Sequence, residues 1–141
     1  LLVDTFGSSS IIGSIDYKQD WFGKKKLYVK SARKKIRTNI MEKVKQFENQ
    51  GVGEIIINCI DRDGEMNGYD IPLLKEIANI VSVPVIGLGG AGSYKHIQEL
   101  FCSTNVSAAA AGSLFCFQGK HRAVLITYPS QIEHDQLTLP N

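Results

Sequence analysis

The chain has 141 residues, a length typical of one domain that can bury a core of its own. Hydrophobic residues make up 43% of it and charged residues 21%, a globular composition that excludes a disordered polar tail. The net charge of +2 provides no large field for binding nucleic acid or an anionic membrane. No apolar run reaches about eighteen residues, which excludes a membrane-spanning helix.

The first residue is Leu1, and no basic-then-apolar leader follows, so we expect no signal peptide and interpret the chain as a fragment. Three cysteines without CxxC spacing predict neither a disulfide framework nor a zinc site, and they fit a reducing cytoplasm: Cys59, Cys102 and Cys116. Three histidines also lack metal-ligand spacing and are interpreted as structural or surface residues: His96, His121 and His134. We therefore expect no metal and no cofactor.

Short apolar runs alternate with helical patterns along the chain. Four apolar runs are predicted as strands: residues 11–16, 55–57, 83–88 and 106–111. Three segments with apolar residues at helical spacing are predicted as helices: residues 36–47, 73–81 and 97–101. This βαβαβαβ order predicts an α/β fold, with parallel strands and outer helices. A (β/α)8 barrel needs about 250 residues, so the four strands correspond to half a barrel, here a single domain over residues 1–141.

A basic stretch, residues 23–37, follows the first predicted strand. One interpretation is a solvated loop and helix start, because blocks of like charge are often exposed. The other is a cover over an anionic substrate, since barrel active-site loops lie at this position. Nucleic-acid binding is the weakest interpretation, because few aromatic residues interleave with these charges.

Small residues follow the third and fourth predicted strands, at 87–93 and 111–115. Glycine lets the backbone approach a ligand closely, and free N–H groups at a helix start bind phosphate. Barrel enzymes often carry a phosphate site after their last two strands. We therefore expect phosphate near Gly90, Gly92, Gly112 and Ser113. Ser113 has no nearby acid or base in a nucleophile context, so it is interpreted as a phosphate ligand.

Asp16 ends the first predicted strand and Asp63 lies in the loop after the second, and both leave alternatives open. Asp16 could cap a turn or pair with Lys18, or it could act as a general acid or base in a barrel mouth. Asp63 precedes Gly64, so it could be a turn residue or could bind substrate hydroxyls.

A set of short motifs in fixed order resembles the HisF family, the cyclase subunits of imidazole glycerol phosphate synthase. The matching strings are Phe6-Gly7-Ser8, Ser14-Ile15-Asp16, Gly53-Glu54-Ile55, Ile60-Asp61-Arg62-Asp63-Gly64, Gly68-Tyr69-Asp70, Gly89-Gly90-Ala91-Gly92 and Ala110-Ala111-Gly112-Ser113-Leu114-Phe115. The resemblance covers about residues 6–117 and implies the C-terminal half of the barrel, strands five to eight. It implies a lyase that uses ammonia from a glutaminase subunit to cleave and cyclise a phosphoribulosyl aminoimidazole carboxamide in histidine biosynthesis.

The resemblance also assigns roles to single residues. Asp16 matches the family's catalytic aspartate, and Asn58 lies in line with a polar position in the mouth. The remaining matches are substrate- or phosphate-binding positions: Asp63, Gly64, Gly90, Gly112 and Ser113. The second catalytic aspartate belongs to strand one of the barrel, which this chain lacks, so we expect the fragment alone to be inactive. Its open sheet edges predict self-association if it stands alone.

Two departures from the family keep other functions open. Residues 30–35 replace a Thr/Gly-rich loop that helps hold phosphate, and the tail from Phe117 lacks the usual final amphipathic helix. That tail resembles a HisF-like branch associated with converting a sugar's acetamido group to an acetamidino group, again with ammonia from a glutaminase-like partner. A related two-phosphate isomerase barrel, and a non-catalytic phosphate-binding half-barrel, are the further alternatives.

Overall fold

A computed structural model of the chain describes residues 1–29, 34–119, 121–131, 133 and 134. Its helices are α1 (Leu2–Phe6), α2 (Ile40–Asn49), α3 (Ile71–Ile80), α4 (Tyr94–Ser103) and α5 (Ser113–Cys116), with a 3-10 turn at Ser8–Ser10. Its strands are β1 (Ile12–Gln19), β2 (Lys25–Val29), β3 (Lys34–Ile36), β4 (Glu54–Cys59), β5 (Val85–Leu88), β6 (Ala108–Ala110), β7 (Phe117–Gln118) and β8 (Ala123–Val124). None of these described helices is long and apolar enough to cross a membrane.

Six strands form one sheet in the order β3-β2-β1-β4-β5-β6. The neighbours β1, β4, β5 and β6 run parallel, and helices connect them. This arrangement confirms the predicted α/β fold with four adjacent parallel strands. The sheet is not closed, and it is consistent with part of a (β/α)8 barrel.

The basic stretch contains an antiparallel hairpin, so its interpretation as a solvated loop and helix start is wrong. β2 pairs with β1 and with β3, and the helix begins at Ile40. Leu27 on β2 is buried at 3% exposure and pairs in register with Ile36 on β3. The lysines around Leu27 obscure this short apolar alternation in the sequence. The predicted departure at residues 30–33 lies outside the described residues.

The core lies on one face of the sheet, where alternate strand residues pack against α2, α3 and α4. Ile15 and Tyr17 on β1 are almost fully buried, as are the side chains of Ile57 on β4 and Leu100 on α4. A Cβ on Gly87 would lie 3.0 Å from Leu74 and 3.2 Å from Leu100, so this strand position approaches the helices closely. Because side chains alternate along a strand, Asp16 projects to the opposite face.

A buried polar cluster joins this core to the hairpin. Asp70 caps α3 by accepting a hydrogen bond from the Leu73 N–H at 3.3 Å. Its other oxygen accepts from the Tyr17 hydroxyl at 2.8 Å and lies 2.7 Å from the Lys25 ammonium. Burial opposes ionisation of Asp70, but the hydrogen bonds from Lys25 and Tyr17 outweigh it and lower the pKa of the carboxyl. Asp70 thereby fixes the end of the loop that leads from β4 to α3.

Candidate functional site

Asp16 and Asn58 lie side by side on neighbouring strands, in direct register. The Asn58 amide donates a hydrogen bond from Nδ2 to Asp16 Oδ1 at 3.0 Å. Both side chains are half-buried on the face opposite the core. β1 continues to Gln19, so the prediction that Asp16 ends the strand is wrong, and a turn-capping role does not fit its place inside β1. The geometry instead fits a carboxylate whose orientation is set by an amide.

The other atom of the Asn58 amide has an unusual environment. Oδ1 is buried and accepts no hydrogen bond within the described part of the chain. It lies 3.3 Å from the point that a Cβ on Gly89 would occupy. A buried acceptor without a donor costs about 1–3 kcal/mol. The Asn58 amide is nevertheless oriented with Nδ2 toward Asp16, so the fold keeps that hydrogen bond although Oδ1 has no donor among the described residues.

Loops at the carboxyl ends of β4, β5 and β6 enclose a small pocket. It is lined by Asp63, Gly64, Leu88, Gly89, Gly90, Ala91, Ala110, Ala111, Gly112 and Ser113. The structure therefore brings together five of the residues that the sequence singles out as phosphate- or substrate-binding: Asp63, Gly64, Gly90, Gly112 and Ser113. Asp16, Asn58 and Gly92 do not line this pocket.

The strand register relates Asp16 to this pocket. One row across the sheet contains Asp16, Asn58, Leu88 and Ala110, each paired with the next. Leu88 and Ala110 line the pocket. Neighbouring strands are about 4.8 Å apart, so Asp16 is about 10 Å from the pocket wall at Leu88. A small molecule anchored in the pocket could therefore extend along the row to the carboxylate.

Gly92 has a different environment from the other predicted phosphate residues. Its N–H donates to Nδ1 of His96 at 3.2 Å, so that amide already has a partner. A Cβ on Gly92 would lie 2.4 Å from the Met66 carbonyl oxygen, which shows why the backbone needs a glycine there. A role for Gly92 in phosphate binding stays a prediction. The sequence predicts that His96 is a structural or surface residue, and the hydrogen bond that it accepts from Gly92 fits the structural role.

The side chains of the Asp61–Gly64 string make different contacts. Asp61 accepts a hydrogen bond from the Gln19 N–H at 2.7 Å and so ties the loop to the end of β1. Arg62 donates to the carbonyl oxygens of Gly68 and Tyr69 at 2.9 and 3.4 Å, which closes the loop on itself. Asp63 is exposed and lines the pocket, and its backbone N–H donates a hydrogen bond to the Cys59 carbonyl oxygen. Of the three side chains, Asp63 is the one placed to meet a ligand.

Comparison with known proteins gives a family for this geometry. The family model described as histidine biosynthesis protein matches residues 1–122. A Pseudomonas aeruginosa protein provisionally named imidazole glycerol phosphate synthase subunit hisF2 is 48% identical over 128 residues, or 91% of this chain. The imidazole glycerol phosphate synthase subunit HisF of Oceanobacillus iheyensis is 38% identical over 128 residues, again 91% of the chain.

The same alignments cover 51% of the Pseudomonas protein and 50% of the Oceanobacillus protein. A Vibrio vulnificus protein provisionally named subunit hisF3 is 41% identical over 133 residues, which are 94% of this chain and 51% of that protein. The chain thus spans about half the length of the relatives it matches. It belongs to the histidine biosynthesis protein family, as a HisF-type member that covers part of that family's length.

Proposed function

We propose that this chain forms the catalytic C-terminal half of a HisF-type cyclase subunit of imidazole glycerol phosphate synthase. The reaction is the ammonia-dependent cleavage and cyclisation of a phosphoribulosyl aminoimidazole carboxamide to imidazole glycerol phosphate. The observation that carries the proposal is the row from Asp16 through Asn58 to the pocket walls at Leu88 and Ala110. It places a carboxylate about 10 Å from a glycine-lined pocket, which supports a site that anchors a ligand there and reacts at Asp16.

Asp16 is the proposed general acid and base. Proton transfer by a positioned carboxyl group contributes about 10²–10⁴-fold to a rate. The amide of Asn58 holds Asp16 Oδ1, which leaves the other oxygen of the carboxylate directed away from this contact. The pocket at Gly64, Gly90, Gly112 and Ser113 anchors a substrate phosphate, so binding energy far from the reacting atoms positions them at Asp16.

The proposal includes a partner. A glutaminase subunit supplies the ammonia, as the family resemblance implies, and the remaining half of the barrel supplies a second catalytic aspartate. Ammonium salts at high concentration replace the glutaminase in an assay. The proposal can therefore be tested on the full-length protein without its partner.

The test is Asp16→Asn in the full-length protein, with ammonium as nitrogen source. The asparagine keeps the shape and can still accept from Asn58, but it cannot take up a proton. We expect kcat to fall by about 10²–10⁴-fold with little change in KM. Ser113→Ala serves as the contrasting variant, because loss of a phosphate contact should raise KM more than it lowers kcat.

Both variants should be assayed with the histidine-pathway substrate and, separately, with an N-acetylated sugar nucleotide. Turnover of the first substrate alone supports the proposed reaction. Turnover of the sugar alone rejects it in favour of amidation. If Asp16→Asn retains the wild-type kcat on the substrate that reacts, Asp16 is not the catalytic group.

A further inference from the structure

The tail after α5 folds back toward the pocket. β7 and β8 pair as a short antiparallel hairpin. Beyond β8, the Leu125 N–H donates to the Cys116 carbonyl at 3.1 Å and the Thr127 N–H to the Phe115 carbonyl at 2.9 Å. These bonds fasten the returning strand to the segment that begins at Gly112 and Ser113. The turn between β7 and β8 is thereby held next to the pocket.

Arg122 lies in that turn and is fixed by three contacts. Its backbone N–H donates to the Gly119 carbonyl at 3.0 Å, and its φ of +48° is a conformation that residues other than glycine seldom adopt. Its guanidinium carbon lies 5.4 Å from the centre of the Phe117 ring, within cation–π range. Its Nη2 group donates to the carbonyl oxygen of Gly64, a residue of the pocket wall.

The charge of the pocket lining suggests a role for the Arg122 guanidinium. Within the described part of the chain the pocket lining includes the Asp63 carboxylate but no lysine or arginine. A carboxylate next to a phosphate is repulsive unless a cation balances it. A guanidinium has five N–H donors in a planar fork, so it can hold a carbonyl oxygen and an anion at the same time.

We infer that Arg122, in the turn between β7 and β8, is the cation that binds the substrate phosphate at the Gly64–Ser113 pocket. The inference rests on the proposed function, because it takes the pocket to be a phosphate site. It assigns Arg122 a role in binding, not in proton transfer. The tail then sets how strongly this pocket prefers a phosphate over a neutral group.

The experiment is a titration of the full-length protein with inorganic phosphate at constant ionic strength, followed through the amide NMR signals of Gly112 and Ser113. The main variant is Arg122→Gln, which removes the charge and keeps a polar side chain. Lys75→Ala is the matched control, since it removes one positive charge from an exposed position on α3. Urea unfolding of each variant shows that it is folded.

We expect Arg122→Gln to raise the Kd for phosphate by about tenfold or more, as expected for a lost charge-assisted hydrogen bond. Lys75→Ala should stay within about twofold of the wild type, because exposed charges at a distance are screened. Arg122→Lys should fall between the wild type and Arg122→Gln, since it keeps the charge without the fork.

Two results would overturn the inference, and they differ. A wild-type Kd in Arg122→Gln means that Arg122 only braces the Gly64 loop, and the phosphate site itself stands. The absence of any phosphate-dependent shift at Gly112 and Ser113 in the wild-type protein rejects the phosphate site and the role of Arg122 together.

Discussion

Two stretches of backbone border the same pocket and are built in opposite ways. The loop over residues 60–70 is packed against its neighbours, whereas the turn over residues 111–113 stands open. In the packed loop, a Cβ on Gly90 of the adjoining strand end would lie 2.1 Å from the Gly68 carbonyl oxygen. In the open turn, a Cβ on Gly112 would meet nothing within 4 Å.

Hydrogen bonds also tie the loop over residues 60–70 to β6 and to the segment after β5. Gly68 donates its N–H to the Gly90 carbonyl at 2.7 Å, and the Tyr69 hydroxyl donates to the Ala110 carbonyl at 2.9 Å. Burial raises the pKa of Tyr69 to about 12, so this donor stays protonated at any physiological pH. The backbone of Gly68 and the hydroxyl of Tyr69 are thus explained by contacts inside the chain, whereas Asp63 of the same loop stays exposed at the pocket.

Gly112 has no such explanation. Its φ of −107° and ψ of −68° are accessible to any residue, so neither the backbone conformation nor packing requires a glycine. The comparison teaches that a glycine in a loop is a guide to a ligand only where the chain's own atoms leave room. By that criterion Gly112 points to a ligand and Gly90 points first to packing.

The largest expected effect is on Gly90→Ala, which tests the packed side. The methyl group would overlap the Gly68 carbonyl, and φ is +105°, so both overpacking and backbone strain oppose the substitution. We expect the free energy of unfolding to fall by about 3 kcal/mol or more. Urea denaturation measures this loss, and an unchanged midpoint would show that the loop is not packed as described.

The next effect is on Asp70→Asn, at the end of the same loop. The asparagine can still cap α3 but cannot neutralise Lys25, and its contact with the Tyr17 hydroxyl is weakened. Losing one partner of a largely buried ion pair should cost about 2–3 kcal/mol, since Lys25 is 24% exposed and can partly turn to water. Asp61→Asn is the control, because its side chain belongs to an exposed hydrogen bond.

Asp70 also predicts a pH dependence with a definite sign. Its folded-state pKa lies below the ordinary value of 3.8, so its ionisation stabilises the fold fully above that value. The stabilisation is lost as the pH falls below 3.8 and through the lower folded-state pKa. Asp70→Asn should therefore flatten the acid limb of a stability-against-pH curve. An acid limb equal to that of the wild type would contradict the assignment.

Much of the fold could be predicted because its signals are local. The continuous apolar run at Ile55–Ile57 and the helical spacing of Leu73, Leu74 and Ile77 each need only a few neighbouring residues. The hairpin of β2 and β3 could not, because Leu27, the buried residue among those that the structure describes in these two strands, lies among lysines that dominate the pattern. The placement of the four parallel strands as the last four of a barrel rests on the family resemblance alone and stays a prediction.

The candidate site was predictable in part for a similar reason. Glycine turns after strands indicated which loops meet, and the structure brings those loops together around one pocket. The sequence could not show that Arg122 returns to Gly64, because that contact joins segments 58 residues apart. The hydrogen bond from the Gly92 N–H to His96 spans only four residues, but it depends on the conformation of the turn that leads into α4. The contact between Asn58 and Asp16, 42 residues apart, depends on strand register in the same way.

The smallest expected effect on stability is that of Gly112→Ala, and it sharpens the comparison most. Because the position is open and its backbone conformation is allowed, alanine should leave the free energy of unfolding within about 0.5–1 kcal/mol of the wild type. The added methyl group nevertheless enters the space that a phosphate would occupy beside Ser113, so phosphate affinity at the Ser113 amide should fall severalfold. Gly7→Ala is the contrasting control: its site is equally open, but its φ of +81° makes alanine strained, and it does not line the pocket. That control should lose stability and keep phosphate binding. If Gly112→Ala binds phosphate as the wild type does, the open turn is not a ligand site, and the distinction between the two stretches reduces to a difference in packing.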